Sequence, residues 1–267
     1  MDAELVRRGL APSREQARDA IEAGLVRVDG APAAKPSRLV AITEAVVVTG
    51  PSPRFVGRGG TKLEAALDHF ALDVTGRRCL DAGSSTGGFT DCLLQRGAAL
   101  VVAVDVGRGQ LHERLRADPR VLPMERTDIR AVRLADVGGT PFSLIAADLS
   151  FISLRAVSPA LLGELAADGA DVVTLIKPQF EAGRAEVSRG RGVIRDPAVW
   201  LAVLDAVSSA LQSHGAAMMG IMVSPLTGAD GNVEFLAHLQ AHTRVAGPAI
   251  DLAGLVEEAA RRHGARS

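Results

Sequence analysis

Four aspartates stand at or shortly after the ends of apolar runs in the middle of the chain. They are Asp81, Asp105, Asp128 and Asp148. If these runs are parallel strands, their carboxyl ends meet along one edge of a sheet, which is where ligands bind in such folds. A carboxylate at a strand end can also do no more than cap the following helix. Four acids in succession make capping alone a poor explanation, so we expect a ligand site.

Two lysines and a glutamate could add acid–base chemistry to these acids. Lys177 ends the apolar run 171–176, and Pro178 prevents further strand pairing, so the chain must turn there. Lys177 either extends along the sheet rim to solvent or belongs to the site, where an amine can serve as a base. Lys62 lies in the first turns of a helical pattern, and Glu234 follows a glycine-bounded loop.

A loop of small residues follows the first of the four acids. The segment CLDAGSSTGGFT, residues 79–90, leads from a short apolar strand into a helical pattern that ends at Gln95. Glycines let the backbone approach a ligand closely, and a helix N-terminus offers unpaired N–H groups. The spacing matches neither G-x-G-x-x-G nor a triphosphate loop. A strand-terminal acid before a small-residue loop is how class I methyltransferases hold S-adenosyl-L-methionine. That reading is favoured, with another nucleotide or a ligand-free turn left open.

Each part of this arrangement predicts a contact with the methyl donor. The second-strand acid, Asp105, would accept hydrogen bonds from ribose hydroxyls, and Asp128 would reach an adenine amino group. Asp148 would border both the cofactor and the reacting atoms. In the loop segment the candidate cofactor contacts are Asp81, Gly83, Ser84, Ser85, Thr86, Gly87, Gly88 and Phe89.

Strands and helices alternate from Arg78 onward, which predicts a doubly wound, Rossmann-like α/β sheet of the class I methyltransferase type. The predicted strands are Cys79–Ala82, Leu100–Asp105, Val121–Met124, Phe142–Asp148, Asp171–Ile176 and Ala217–Val223. The predicted helices are Gly88–Gln95, Gln110–Ala117, Ser153–Ala167, Pro197–Ser213 and Asp251–His263. These elements fall in a predicted methyltransferase domain, residues 61–267.

Residues 1–50 predict a separate small α+β unit, joined by a Pro- and Gly-rich linker, 51–60. A helix over Ser13–Gly24 precedes a hairpin signal at Asp29-Gly30. Basic and acidic residues balance here, so charge alone favours a solvated helix face. The pattern of residues 5–17, 21–24 and 28–30, however, resembles the RNA-binding domain named after ribosomal protein S4. By that resemblance the candidate phosphate contacts are Arg7, Arg8, Arg14 and Arg18.

Lys62, Asp148, Lys177 and Glu234 match in order the Lys-Asp-Lys-Glu tetrad of FtsJ-like ribose 2′-O-methyltransferases. The surrounding strings are similar to the TlyA family, which is also labelled haemolysin and joins an S4-type domain to this enzyme. The strings are RGGTKL at 58–63, DAGSSTGGFT at 81–90, DVG at 105–107, DLSFIS at 148–153, KPQFE at 177–181 and GNVEF at 231–235. In the linker, Phe55 stands where the family often has Trp.

The resemblance implies methylation of cytidine ribose in ribosomal RNA, with S-adenosyl-L-methionine as cofactor. Lys177 would act as base or proton acceptor, Asp148 and Glu234 would orient it, and Lys62 would add positive charge near the substrate. The glycine-rich segment 181–197 follows Lys177 directly, and either it is an exposed flexible loop or its arginines contact the RNA backbone. The further RNA-contact candidates are Arg58, Arg184, Arg189 and Arg191.

Net charge and hydrophobic patterning limit the kinds of partner and location that we expect. The net charge of -1 gives no global basic field, so RNA binding must depend on local clusters. No apolar run of membrane-spanning length and no leader is recognised, which predicts a cytoplasmic protein. We expect a monomer that acts on ribosomal RNA in ribosomal subunits, with no metal and no membrane. The alternatives are a non-enzymatic RNA-binding module, a membrane-active haemolysin and a small-molecule methyltransferase.

Overall fold

Two β-sheets organise the chain. The computed structural model describes residues 1–11, 14–33, 35–50, 53–190, 192–228, 230–243 and 245–264. A three-stranded antiparallel sheet lies in the N-terminal 50 residues, and a seven-stranded sheet follows. No helix of the described residues has both the length and the apolar composition needed to cross a bilayer.

The helices are α1 Asp2–Arg7, α2 Arg14–Glu22, α3 Gly59–His69, α4 Gly88–Gln95, α5 Glu113–Arg116, α6 Leu154–Leu161, α7 Pro178–Glu181, α8 Arg184–Arg189, α9 Pro197–Ser213 and α10 Leu252–Gly264. The strands are β1 Val26–Val28, β2 Ala31–Pro32, β3 Val46–Val48, β4 Arg78–Ala82, β5 Leu100–Val104, β6 Val121–Met124, β7 Phe142–Ala147, β8 Ala166–Ile176, β9 Ala217–Val223 and β10 Phe235–Gln240.

The N-terminal unit has its own small core. Leu5 of α1, Ile21 of α2 and Val26 of β1 are among its fully buried side chains. The helix α1 was not predicted. Its buried Asp2 forms ion pairs with two arginines of α2. The predicted helix start at Ser13 lies outside the described residues.

The large sheet has the strand order β6-β5-β4-β7-β8-β10-β9. The five strands from β6 to β8 run parallel, while β10 is antiparallel to both of its neighbours. Successive side chains of a strand point to opposite faces, and helices cover both faces here. One face packs against α6, α9 and α10 and the other against α3 and α4, so the predicted doubly wound fold is confirmed.

Two helix predictions were too long, because tertiary pairing competes with local propensity. The pattern Ser153–Ala167 gives a helix only to Leu161, since Ala166 pairs with Phe142 as part of β8. The pattern Gln110–Ala117 gives one turn, Glu113–Arg116, which His112 caps.

The strand β10 was not predicted, and it decides where Glu234 lies. Its side chains are buried on both faces of the sheet, so the segment carries no polar alternation that marks a strand. Phe235 pairs with Ile176 of β8 in antiparallel register. Glu234, just before β10, and Lys177, just after β8, therefore come to the same edge of the sheet.

Candidate active site

The four tetrad residues come from four different elements and form two ion pairs. Lys62 Nζ of α3 lies 2.6 Å from Glu234 Oε2, and Lys177 Nζ lies 2.5 Å from Asp148 Oδ1. Both lysines are buried, with 6% of Lys62 and 8% of Lys177 exposed. Lys62 and Asp148 also line one small cavity of about 90 Å³. The fold thus brings the predicted tetrad together at the carboxyl edge of the sheet.

Lys177 has a second polar partner that the sequence did not single out. Its Nζ donates a 2.9 Å hydrogen bond to Ser150 Oγ, in the turn after β7. The ring centre of Phe180 lies 5.9 Å from the same amine. β8 ends at Ile176, Lys177 is the N-cap of α7 and Pro178 occupies the first helical position, so the chain turns here as predicted.

A cavity of about 450 Å³ opens beside the tetrad, within the range of small-molecule sites. Among the predicted cofactor contacts, its walls include Gly83, Ser85, Asp105, Asp128 and Asp148. The adjoining small cavity is lined by the loop residues Ser84, Thr86, Gly88 and Phe89. Asp81 and Gly87, also predicted as cofactor contacts, are not among the described residues that line either cavity. Residues of the larger cavity that the sequence analysis missed include Val106, Gln110, Thr127, Arg130, Phe151 and Ile152.

Asp81 is completely buried at the end of β4. Its Oδ2 accepts a 2.6 Å hydrogen bond from Thr90 Oγ1, while no described group donates a hydrogen bond to its buried Oδ1. Burial, reinforced by the charges of Asp148 and Asp105 and opposed by Thr90, raises the pKa of Asp81 to about 7. A buried carboxylate with an unused oxygen is the chemistry expected where a cationic group binds.

Asp105 and Asp128 line the cavity, and they also stabilise its wall by hydrogen bonds to backbone N–H groups. Asp105 accepts hydrogen bonds from the backbone N–H groups of Ser85, 2.8 Å, and Gly107, 2.7 Å. Asp128 Oδ1 caps a short 3₁₀ turn by accepting from Arg130 N at 2.9 Å, and the Arg130 guanidinium lowers the pKa of Asp128. The capping role left open by the sequence is therefore present at Asp128.

Two glycines of the loop are needed for steric reasons, whether or not they also contact a ligand. Gly83 has φ of +88°, and a Cβ there would stand 2.4 Å from the Asp148 carbonyl oxygen. Gly87 has φ of +97°, and a Cβ there would stand 2.2 Å from Leu115 Cδ1. Residues other than glycine rarely adopt such φ values, so both positions strongly favour glycine.

Phe151 is an unusual residue beside the cavity. It has φ of +63° and 91% of it is exposed, although bulky residues rarely adopt that backbone region. Its ring centre lies 5.2 Å from that of Phe180. Strain of this kind is commonly found at functional sites.

The predicted RNA contacts divide into four groups. Arg14 and Arg18 both pair with Asp2, yet 62% and 57% of their side chains remain exposed. Arg7 pairs with Glu4 on the surface, whereas Arg8 also donates to the carbonyl oxygens of Ala41 and Glu44. Arg58 lines the small cavity with Lys62. The last group lies outside what the structure describes: Arg191 itself and the side chains of Arg184 and Arg189.

Comparison with known proteins gives a family match for each part of the chain. The model of the FtsJ-like methyltransferases matches residues 55–241, and that of the S4 domain matches residues 2–46. The Mycobacterium tuberculosis protein named 16S/23S rRNA (cytidine-2′-O)-methyltransferase TlyA is 52% identical over 91% of this chain and 90% of its own length. The Bacillus subtilis protein named "Putative rRNA methyltransferase YqxC" is 46% identical over 90% of this chain and 84% of its own.

A solved structure covers the whole chain. It is named "Putative hemolysin from Streptococcus thermophilus", and it superimposes with a TM-score of 0.79 at 38% identity. The match covers 100% of this chain and 98% of the other.

Proposed function

The chain belongs to the FtsJ-like methyltransferase family, in the branch of the TlyA proteins, and from this membership we propose its reaction. It transfers the methyl group of S-adenosyl-L-methionine to the ribose 2′-hydroxyl of a cytidine in ribosomal RNA. The observation that carries the proposal is the convergence of Lys62, Asp148, Lys177 and Glu234 beside the cavity. An RNA-binding module without turnover needs no such set of two lysines and two acids.

The two adjoining cavities suit the methyl donor. When bound, S-adenosyl-L-methionine supplies a methyl group made electrophilic by a positively charged sulfur. Asp81, with its unused buried oxygen, would offer negative charge to the cationic amino-acid end. Asp105 would accept from the ribose hydroxyls and Asp128 would lie near the adenine, because both line the larger cavity.

Lys177 would take the proton of the 2′-hydroxyl. A hydroxyl is a poor nucleophile unless a base accepts its proton. The amine of Lys177 is such a base once its ion-paired ammonium has released a proton to solvent. The Asp148 carboxylate holds that amine from 2.5 Å and neutralises the ammonium that forms. Much of the rate would come from holding the hydroxyl in line with the methyl group.

Lys62 would place positive charge near the substrate oxygen or the adjacent phosphate. It is held by Glu234 at 2.6 Å, and its burial limits its motion. Glu234 would therefore act on Lys62 directly, rather than on Lys177 as the sequence suggested.

The N-terminal unit would dock the RNA through backbone phosphates. Arg7, Arg14 and Arg18 are the first candidates, because their side chains are mostly exposed and solvated pairs exchange partners at little cost. Arg8 is half-buried and braces the turn at 41–44, which makes it the weaker candidate. A ribosomal substrate would place the protein in the cytoplasm.

The test is methyl transfer from tritium-labelled S-adenosyl-L-methionine to purified small and large ribosomal subunits that lack the modification. The wild-type protein runs beside Lys177→Ala. The matched control is Lys35→Ala, because Lys35 is exposed and is the only other lysine of the chain besides Lys62.

We expect label at one RNA position that resists alkaline cleavage, with wild type and Lys35→Ala alike. Lys177→Ala should keep its affinity for the cofactor and lose the label by at least about 100-fold. A Lys177→Ala protein that methylates at the wild-type rate would show that Lys177 is not the base. No label with either subunit, despite measurable cofactor binding, would refute the ribose-methylation proposal.

A further inference from the structure

We propose that Ser150 is a positioning residue for Lys177, whose amine it orients for proton abstraction. The inference rests on the proposed function, in which Lys177 is the base, and it adds a residue outside the tetrad. Its hydroxyl accepts from Lys177 Nζ at 2.9 Å. Ser150 also lines the 450 Å³ cavity that the proposed function assigns to the cofactor, so this contact lies at the wall of that cavity.

The two contacts of the amine differ in kind. Asp148 Oδ1 lies 2.5 Å from Nζ and supplies charge, but among the described groups none makes a well-directed hydrogen bond to that oxygen. The contact to Ser150 has hydrogen-bond geometry. Charge attraction depends mainly on distance, whereas a hydrogen bond also depends on angle. Asp148 therefore holds the amine in place, and Ser150 sets its rotation about the Cε–Nζ bond.

That rotation decides whether the amine can act as a base. A neutral amine carries two N–H bonds and one lone pair at the three free tetrahedral positions of nitrogen. The hydrogen bond to Ser150 uses one N–H, and the Asp148 carboxylate attracts the second. The lone pair is then left at the third position, where it can accept a proton. Without Ser150, rotamers that present an N–H at this position would compete.

Ser150 is exposed, but the turn that carries it is held firmly. Glu181, four residues after Lys177, accepts 2.6 Å hydrogen bonds from Ser153 Oγ and from the backbone N–H of Leu154. At the other end of the turn, the backbone N–H of Asp148 donates to the Ala82 carbonyl oxygen at 2.9 Å. The turn is thus anchored on both sides of Ser150, unlike a mobile surface loop.

The experiment compares Ser150→Ala and Ser150→Thr with the wild type. Ser213→Ala is the control, because Ser213 is also exposed and, among the described residues, its hydroxyl donates to the Ala210 carbonyl of its own helix. Rates are measured in single turnover at saturating cofactor and ribosomal subunit. The KM for the subunit, the Kd for the cofactor and the melting temperature are measured for every variant.

We expect Ser150→Ala to lower the saturated rate about 3- to 10-fold, which is the effect of one neutral hydrogen bond. The KM and Kd should stay within about twofold, since Ser150 acts through Lys177. Ser150→Thr keeps the hydroxyl and should restore the rate to within about twofold of wild type.

Three results would overturn the role of Ser150. They are an unchanged saturated rate in Ser150→Ala, a loss confined to KM or Kd, and a Ser150→Thr protein as slow as Ser150→Ala. An inactive wild type would instead refute the ribose-methylation proposal, and the role of Ser150 with it. The activity of the wild-type protein therefore distinguishes failure of this inference from failure of the proposed function.

Discussion

At the scale of single residues, the cofactor role proposed for Asp81 and the stability of the free protein make opposite demands on its side chain. Its carboxylate is fully buried, and burial raises its pKa from 3.8 to about 7. The ionised form suits a cationic ligand but is costly in the free protein. Evolution of a binding site commonly leaves such a destabilised group in place.

Asp81→Asn should stabilise the free protein at pH 8 and weaken cofactor binding. The folded state takes up a proton at Asp81 between about pH 4 and 7, so stability falls as the pH rises through this window. At pH 8 the ionised group costs at most about 4 kcal/mol, which asparagine avoids. Urea unfolding at pH 5.5 and 8 measures the gain, and calorimetric titration measures a cofactor Kd raised at least about tenfold.

The wild type itself serves as the pH control. Its free energy of unfolding should decline more between pH 5.5 and pH 8 than that of Asp81→Asn. An asparagine variant less stable than wild type at pH 8 would contradict the account of Asp81 given above.

At the scale of elements, the turns after β4, β7 and β8 hold one another in place. The Gly83 turn lies against the Asp148 carbonyl, and Glu181 of α7 holds the start of α6. Asp148, Ser150 and Lys177 are therefore positioned by contacts between turns as well as by the strands that precede them. Such contacts join segments that are distant in the sequence.

Gly83→Ala should destabilise the protein by about 2–4 kcal/mol and weaken cofactor binding. The added Cβ would meet the Asp148 carbonyl oxygen at 2.4 Å, in addition to the strain of φ +88°. Gly76→Ala is the matched control, since Gly76 has φ of +71° and open space around its Cβ. The control should show the dihedral strain alone, about 1 kcal/mol, by urea unfolding. Equal losses in the two variants would rule out the contact as the cause.

Glu181→Gln should lower the stability of the protein by about 1–3 kcal/mol. The buried carboxylate accepts from Ser153 Oγ and Leu154 N, and charge-assisted bonds of this kind are stronger than neutral ones. Glu257→Gln is the control, because that side chain is 74% exposed. The stabilities of the two variants are compared by their urea unfolding midpoints, provided that the dependence of the unfolding free energy on urea is the same in both. A Glu181→Gln protein as stable as the control would show that the carboxylate is dispensable.

At the scale of the whole molecule, the N-terminal unit touches the enzyme through the linker. Gln16 of α2 donates a 3.0 Å hydrogen bond to the Phe55 carbonyl, and Asp91 of α4 accepts one of 2.9 Å from Val56 N. The S4-type unit is thus connected to α4, the helix that follows the glycine-rich loop after β4. The boundaries 1–50, 51–60 and 61–267 stay a prediction.

Arg14→Ala with Arg18→Ala should weaken binding to the ribosomal subunit about tenfold and leave the cofactor Kd unchanged. Each lost phosphate contact should also lower the salt dependence of binding by about one unit of slope. Arg261→Ala with Arg262→Ala removes equal charge from similarly exposed, ion-paired side chains and is the control. Filter binding at several salt concentrations makes the measurement.

Asp2→Asn separates an RNA contact from a structural role of the two arginines. It breaks their ion pairs but keeps both cations, so RNA affinity should be retained or increase. If Asp2→Asn weakens RNA binding as much as the double variant, the arginines act by stabilising the N-terminal unit.

The sequence predicted which residues carry chemistry, and it determined most of the strands that hold them. Apolar runs ending in Asp81, Asp105 and Asp148 predicted the parallel strands, because a strand buried on both faces must be apolar along its length. The order of the four tetrad residues predicted the reaction through a family resemblance. These signals are local in the chain, or depend only on residue types in sequence order.

Only the tertiary structure decided which of these residues touch. Glu234 pairs with Lys62 because an unpredicted antiparallel strand, β10, begins where β8 ends. Ser150 reaches Lys177 because two turns that are 27 residues apart in the chain lie side by side. Burial raises the pKa of Asp81 only when helices close over both faces of the sheet. Such contacts arise from the packing of distant segments, on which the periodicity of one segment carries no information.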